Sequence, residues 1–156
     1  MDVMTYPDPK YFGDKGEITA SFRPASQEPD LRYPHGGSAH YLATGASTGG
    51  LFGLYRWNMP ATPSGPAPHF HRTMTESFFV LEGAVTIYNG EKWLECGPGD
   101  FVHVPIGGVH GFRNESGAPA SMLIHFSPGA PREGYFEGLL EQQGPEFYAQ
   151  HDNYWI

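Results

Sequence analysis

Short runs of alternating apolar and polar residues, each closed by glycine, proline or asparagine, fill the middle of the chain. Alternation sends successive side chains to opposite faces of an extended strand, so that one face can be buried. The pattern predicts strands over Ala39–Ala43, Leu51–Met59, Pro68–His71, Glu76–Leu81 and Ala84–Tyr88. It continues through Lys92–Cys96, Phe101–Val104, His110–Asn114 and Ala120–Phe126. Asn89-Gly90 marks a hairpin that joins Ala84–Tyr88 to Lys92–Cys96 as antiparallel neighbours, because both residues tolerate positive φ. Gly97-Pro98-Gly99-Asp100 makes the next corner. Many short strands at this spacing indicate an all-β sandwich or barrel.

The two ends read differently. Residues 1–37 form a polar, turn-rich N-terminal extension, with a strand expected over Glu17–Phe22 and a mobile loop at Pro34-His35-Gly36-Gly37. Residues 38–128 carry the barrel pattern. In residues 129–156, Tyr135, Phe136, Leu139 and Leu140 recur at helical spacing, Pro131 suits a first turn and Gly144-Pro145 stops the run. A short C-terminal helix from about Pro131 to Gln142 is therefore expected to pack across a barrel end. The tail from Glu146 ends Tyr-Trp-Ile, apolar enough to dock on this chain or on a second copy.

Composition narrows the class. The 156 residues suit one domain. With 21 glycines and 15 prolines the chain could be disordered, but an aromatic content of 15% argues for a packed, turn-rich β domain. A net charge of −8 argues against nucleic acid and anionic membranes as partners. No apolar run reaches the roughly 18 residues of a membrane span. A lone cysteine, Cys96, forms no intrachain disulfide, and the N-terminus lacks the basic and apolar segments of a signal peptide; a cytoplasmic location is expected.

The chemistry is concentrated in His69, His71, Glu76 and His110. His69 and His71 are two apart, so one face of one strand offers two nitrogens to a single ion. Glu76 opens the next strand and His110 follows a turn; the four converge only if the strands close into a barrel. Three imidazoles and one carboxylate make a ligand set for a divalent transition metal such as Fe, Ni, Mn, Cu or Zn. Glu76, the most exchangeable of the four, is also a candidate catalytic base. Alternation places Phe78 and Val80, and Phe112 and Asn114, on the ligand side. Phe78 and Phe112 are the candidate substrate-binding residues, and Val80 reads as core packing. His103 and His125 alternate with apolar residues on both sides, with a surface place favoured for His125. His35 reads as a solvated loop residue, and either Tyr55 or Arg56 as a residue that orients substrate.

Two motifs carry a resemblance to single-domain cupins. The first reads His69-x-His71, four residues, Glu76, six residues, Gly83; the second reads Gly99, five residues, Pro105-x-Gly107, two residues, His110, three residues, Asn114. Fifteen residues lie between Gly83 and Gly99. One position departs: Pro63 stands where the family has a glycine, and Gly65 follows it. Thr48-Gly49-Gly50 and Gly134-Tyr135-Phe136-Glu137 look similar to small quercetinase-like monocupins. The resemblance implies a double-stranded β-helix (jelly-roll barrel), with His69, His71, Glu76 and His110 as metal ligands and Gly83, Gly99 and Gly107 at turns. It further implies a homodimer and a dioxygenase-type oxidoreductase that acts on a chelating aromatic or polyketide-like small molecule with O2. Two alternatives stay open: a non-redox isomerase or cyclase using the same metal, and a small-molecule-binding cupin without turnover.

Overall fold

The computed structural model describes residues 5–156. Its elements, in chain order, are β1 (Leu31–Arg32), β2 (Ser38–Ala43), β3 (Gly53–Met59), β4 (His69–Phe70), β5 (Thr75–Glu82), β6 (Val85–Tyr88) and β7 (Trp93–Cys96). They continue with β8 (Phe101–Val104), β9 (Gly111–Arg113), β10 (Ala120–Ser127), α1 (Arg132–Gly138), α2 (Pro145–Gln150) and β11 (Tyr154–Trp155). A six-stranded sheet runs β1-β2-β3-β10-β5-β8, and a three-stranded sheet runs β7-β6-β9. The chain adopts the double-stranded β-helix, with its core between the sheets.

Alternation decides which residues fill that core. On β10, Met122, Ile124 and Phe126 are buried, and they stand opposite Val80, Phe78 and Glu76 of β5. Tyr55 of β3, across from Ile124 on the other side, is fully buried. Val85 and Ile87 of β6 and Phe112 of β9 close the core from the smaller sheet. The opposite face of β5 carries Phe79 and the partly buried Leu81.

Several expectations are corrected. No strand forms over Glu17–Phe22; Ile18 and Phe22 stand in solvent, and without a neighbouring strand to take their backbone hydrogen bonds the alternation there has nothing to pair with. The edge is held by β1 instead, paired to β2 through Leu31 and Ala39. The hairpin at Asn89-Gly90 forms as expected, β6 pairing antiparallel with β7 across the loop 89–92, in which Gly90 has positive φ. Asn89 builds that loop with its side chain, its Oδ1 accepting from the Glu91 and Lys92 amides at 2.9 Å. The helix ends at Gly138, earlier than Gln142, and a second short helix, α2, follows the Gly144-Pro145 break. The tail docks on this chain: Tyr154 and Trp155 of β11 pair antiparallel with Phe70 and His69 of β4. Among the described residues, no helix is long and apolar enough to cross a membrane.

Candidate metal centre

Backbone pairing brings the histidines together before any side chain is considered. His69 and His110 bridge as antiparallel partners, the His69 amide donating to the His110 carbonyl at 2.8 Å and the reverse bond closing at 2.9 Å. Their rings lie 4.4 Å apart between centroids, and the His71 ring is 5.0 Å from each. Glu76 enters from β5, where its inward position is shared with Phe78 and Val80. All four residues are buried, and one ligating atom from each lies within 4.8 Å of the others.

The ring orientations are fixed by carbonyl oxygens. His69 donates from Nδ1 to the Ala67 carbonyl at 2.7 Å, His71 to Asp152 at 2.6 Å and His110 to Gly108 at 2.9 Å. A carbonyl only accepts, so each Nδ1 carries a hydrogen and each Nε2 is left to the centre. Metal-ligating histidines are oriented in this way, by an outer hydrogen bond that fixes the tautomer. The Nε2 atoms of His71 and His110 both meet Glu76 Oε1, at 2.9 and 2.8 Å. Three Nε2 atoms and a carboxylate, oriented from behind and buried together, suit a divalent transition metal.

The electrostatics agree with a cation-seeking site. Burial, with the neighbouring His110 next, holds His69 down at about 3, so it is a neutral nitrogen donor. Burial would push the Glu76 carboxyl up, but His110 and His71 outweigh it and hold the group anionic, below the usual carboxylate range. His110 is raised because Glu76 overcomes the effect of its own burial.

A cavity of about 420 Å³ opens onto His69, His71 and Glu76. Phe112 is in its wall; Phe78 is not, and lies in the core with its ring 5.6 Å from Phe112 and 6.0 Å from His110. Alternation put both on the inner face, but the barrel is deeper than one layer of side chains, and Phe78 belongs to the packed layer. Tyr55, also fully buried, donates its hydroxyl to Glu133 Oε1 at 2.5 Å and does not border the cavity. Arg56 faces outward beside Glu82. His103 is exposed and hydrogen-bonded to Ser77 Oγ at 2.8 Å, His125 stacks on Phe52, and His35 stands exposed at the cavity's edge.

Sequence reasoning missed Trp57, Trp155 and Arg132, all of which line the cavity. For Arg132 a signal existed. It precedes Tyr135 by three, Phe136 by four and Leu139 by seven residues, which puts it on the same helical face as the apolar stripe.

Residues 55–126 match the cupin domain family. Over 48 residues, 31% of this chain and 14% of the other protein, the sequence is 42% identical to a quercetin 2,3-dioxygenase of Bacillus subtilis. Over 71 residues, 45% of this chain, it is 37% identical to a probable oxidoreductase of Aspergillus clavatus, of which it covers 22%. The chain thus spans less than a quarter of either curated relative. The fold is similar to the crystal structure of a predicted oxalate decarboxylase from Thermotoga maritima, with a TM-score of 0.60 and 17% identity over 70% of this chain and 99% of that one. Barrel, donor geometry and sequence match point the same way: a chain with the double-stranded β-helix fold in which residues 55–126 match the cupin domain family.

Proposed function

We propose that this protein is a metal-dependent enzyme that oxidises a small chelating molecule, of aromatic or polyketide-like character, with dioxygen. One observation carries the reading: an aromatic cavity and the four-residue donor cluster are continuous. Trp57, Phe112, Phe126 and Phe136 line the same space as His69, His71 and Glu76. A divalent ion held by His69, His71, Glu76 and His110 would lower the pKa of a substrate hydroxyl and hold the resulting anion.

The chain's own residues supply the rest. The aromatic walls give a flat substrate surfaces to stack on and displace water from around it. Both imidazole contacts to Glu76 fall on Oε1, and no hydrogen bond reaches Oε2 among the described residues. Oε2 is therefore the oxygen assigned to accept the substrate's hydroxyl proton, since reach is the first requirement of a general base. The likeness to a quercetin 2,3-dioxygenase and to a probable oxidoreductase supports oxidative chemistry.

The test combines elemental analysis of protein purified without added metal with oxygen-electrode assays, using quercetin as the probe flavonol. A redox-active metal near one per chain, and oxygen uptake that Glu76→Gln reduces at least a hundredfold, are expected, general acid–base groups being worth about 10²–10⁴ in rate. Turnover under strict anaerobiosis, or equal turnover with zinc, would overturn the dioxygenase reading in favour of a non-redox reaction at the same site.

A further inference from the structure

Arg132 is a charged residue only 3% exposed, and it borders the same cavity as His69, His71 and Glu76. Buried guanidinium groups are found paired, because an uncompensated charge in a low-dielectric interior is costly. Arg23, Arg32, Arg56 and Arg113 each meet a carboxylate. Arg132 meets none among the described residues. Its Nη1 donates to the His151 carbonyl oxygen, and its buried Nε has no partner.

The two carboxylates whose fields reach Arg132, Glu76 and Asp152, form no ion pair with it. Glu76 Oε1 takes His71 and His110, while the Asp152 carboxylate takes the Arg72 and Thr73 amides and the Thr73 hydroxyl at 2.7–2.9 Å. What Arg132 does have is a rigid seat. Its guanidinium carbon lies 4.3 Å from the Tyr135 ring centroid and 5.3 Å from that of Phe126, both in the cavity wall. Ring faces attract a cation and fix its plane, but they do not accept the in-plane hydrogen bonds of the guanidinium fork.

We infer that the missing partner is the ligand: Arg132 binds a carboxylate carried by the small molecule that enters this cavity. The role narrows the proposed function to acidic substrates, and it rests on the reading of this cavity as the substrate pocket. Arg132 is a substrate-binding residue here, presenting donors that a planar carboxylate satisfies and an uncharged isostere does not.

Benzoate and benzamide are the probes, since they share size and shape and differ in charge. Each is titrated into EDTA-stripped protein and followed by calorimetry, while zinc binding is measured separately on the same preparations. Wild type is expected to bind benzoate at least tenfold tighter than benzamide. Arg132→Met is expected to abolish that preference, weakening benzoate far more than benzamide, with zinc binding retained. Arg132→Lys, which keeps the charge but loses the fork, should retain a preference reduced severalfold, and it serves in place of Arg132→Met if the latter does not fold. Equal binding of the two probes by wild type, or an undiminished preference in either variant, would overturn the assignment. Failure of the metal reading shows up independently, as absent zinc binding in wild type.

Discussion

His71 donates its Nδ1 hydrogen to the carbonyl oxygen of Asp152, 2.6 Å away and 81 residues later in the chain. A segment beyond the barrel strands thereby sets the orientation of a candidate ligand inside the barrel. The carbonyl is itself anchored: Asp152 holds φ at +55°, and its carboxylate takes hydrogen bonds from both residues that follow His71. Those bonds outweigh the effect of its partial burial and hold the carboxyl below its ordinary range. Asp152 and His71 form one unit through which the tail and the candidate metal centre are coupled.

Asp152→Ala is accordingly expected to weaken metal binding about 10- to 100-fold, the usual cost of losing a group that orients a ligand. The barrel should persist, because its sheets do not depend on this contact. Competition against a metal-chelating dye gives the affinity, and circular dichroism reports the fold. An affinity within twofold of wild type would show that the tail does not position His71.

Replacing the candidate ligand itself is the stricter case. His71→Ala removes one of four donors and leaves Glu76 bonded to His110 alone. Metal occupancy in protein purified without added metal should fall to a small fraction of wild type, with the β-sheet spectrum retained. Unchanged metal content would remove His71 from the ligand set.

Gly83 is required for a steric reason. Its φ is +75°, and a Cβ there would sit 2.5 Å from the Pro119 carbonyl oxygen and 2.9 Å from the Ala120 Cα. Both obstacles are backbone at the start of β10, so neither moves out of the way easily. Gly83→Ala should cost about 1–3 kcal/mol from the backbone conformation alone, with the clash adding to it. The melting temperature would fall by several degrees or more. A Tm unchanged within one degree would mean that the loop relaxes freely.

The same distinction between local and distant information explains what the chain reveals before folding. Strand after strand was legible because alternation is a local signal, and the four clustered donors were legible because their spacing is fixed by strand and turn geometry. His69 and His110 are distant in sequence, and only closure of the barrel pairs their backbones. Phe78 was placed on the correct face but at the wrong depth, since alternation gives a side and not a layer. Arg132 was passed over because a charge at a helix start ordinarily faces water, although its spacing to Tyr135, Phe136 and Leu139 sets it on the apolar face; how deep it lies depends on the packing of α1 against Phe126. The strand expected at Glu17–Phe22 failed for the converse reason, an apolar pattern with no neighbour to complete it.

The metal-free protein should show a pH dependence set by the centre, and its sign differs from group to group. His69, held down by burial and then by His110, titrates at about 3 in the folded protein against 6.5 ordinarily, so below 6.5 the unfolded chain takes up a proton the native one refuses. Stability then falls as pH falls towards 3, by up to about 1.4 kcal/mol per unit. Glu76, whose burial is overridden by His110 and His71, adds a second proton in the same sense below its ordinary 4.5. His110 works in the other direction. Burial opposes its protonation but Glu76 prevails and raises its pKa, so its contribution is complete below 6.5 and is lost as pH climbs through the raised value. The three together place a stability maximum near pH 6.5, with a decline on the acid side that steepens below about 4.5. Urea titrations of EDTA-stripped protein from pH 4 to 8 measure this, and His69→Gln isolates it. In that variant the fall between 6.5 and 4.5 should flatten while the loss above 6.5 stays. If the variant and wild type run parallel across the whole range, His69 is not the buried neutral donor the site requires.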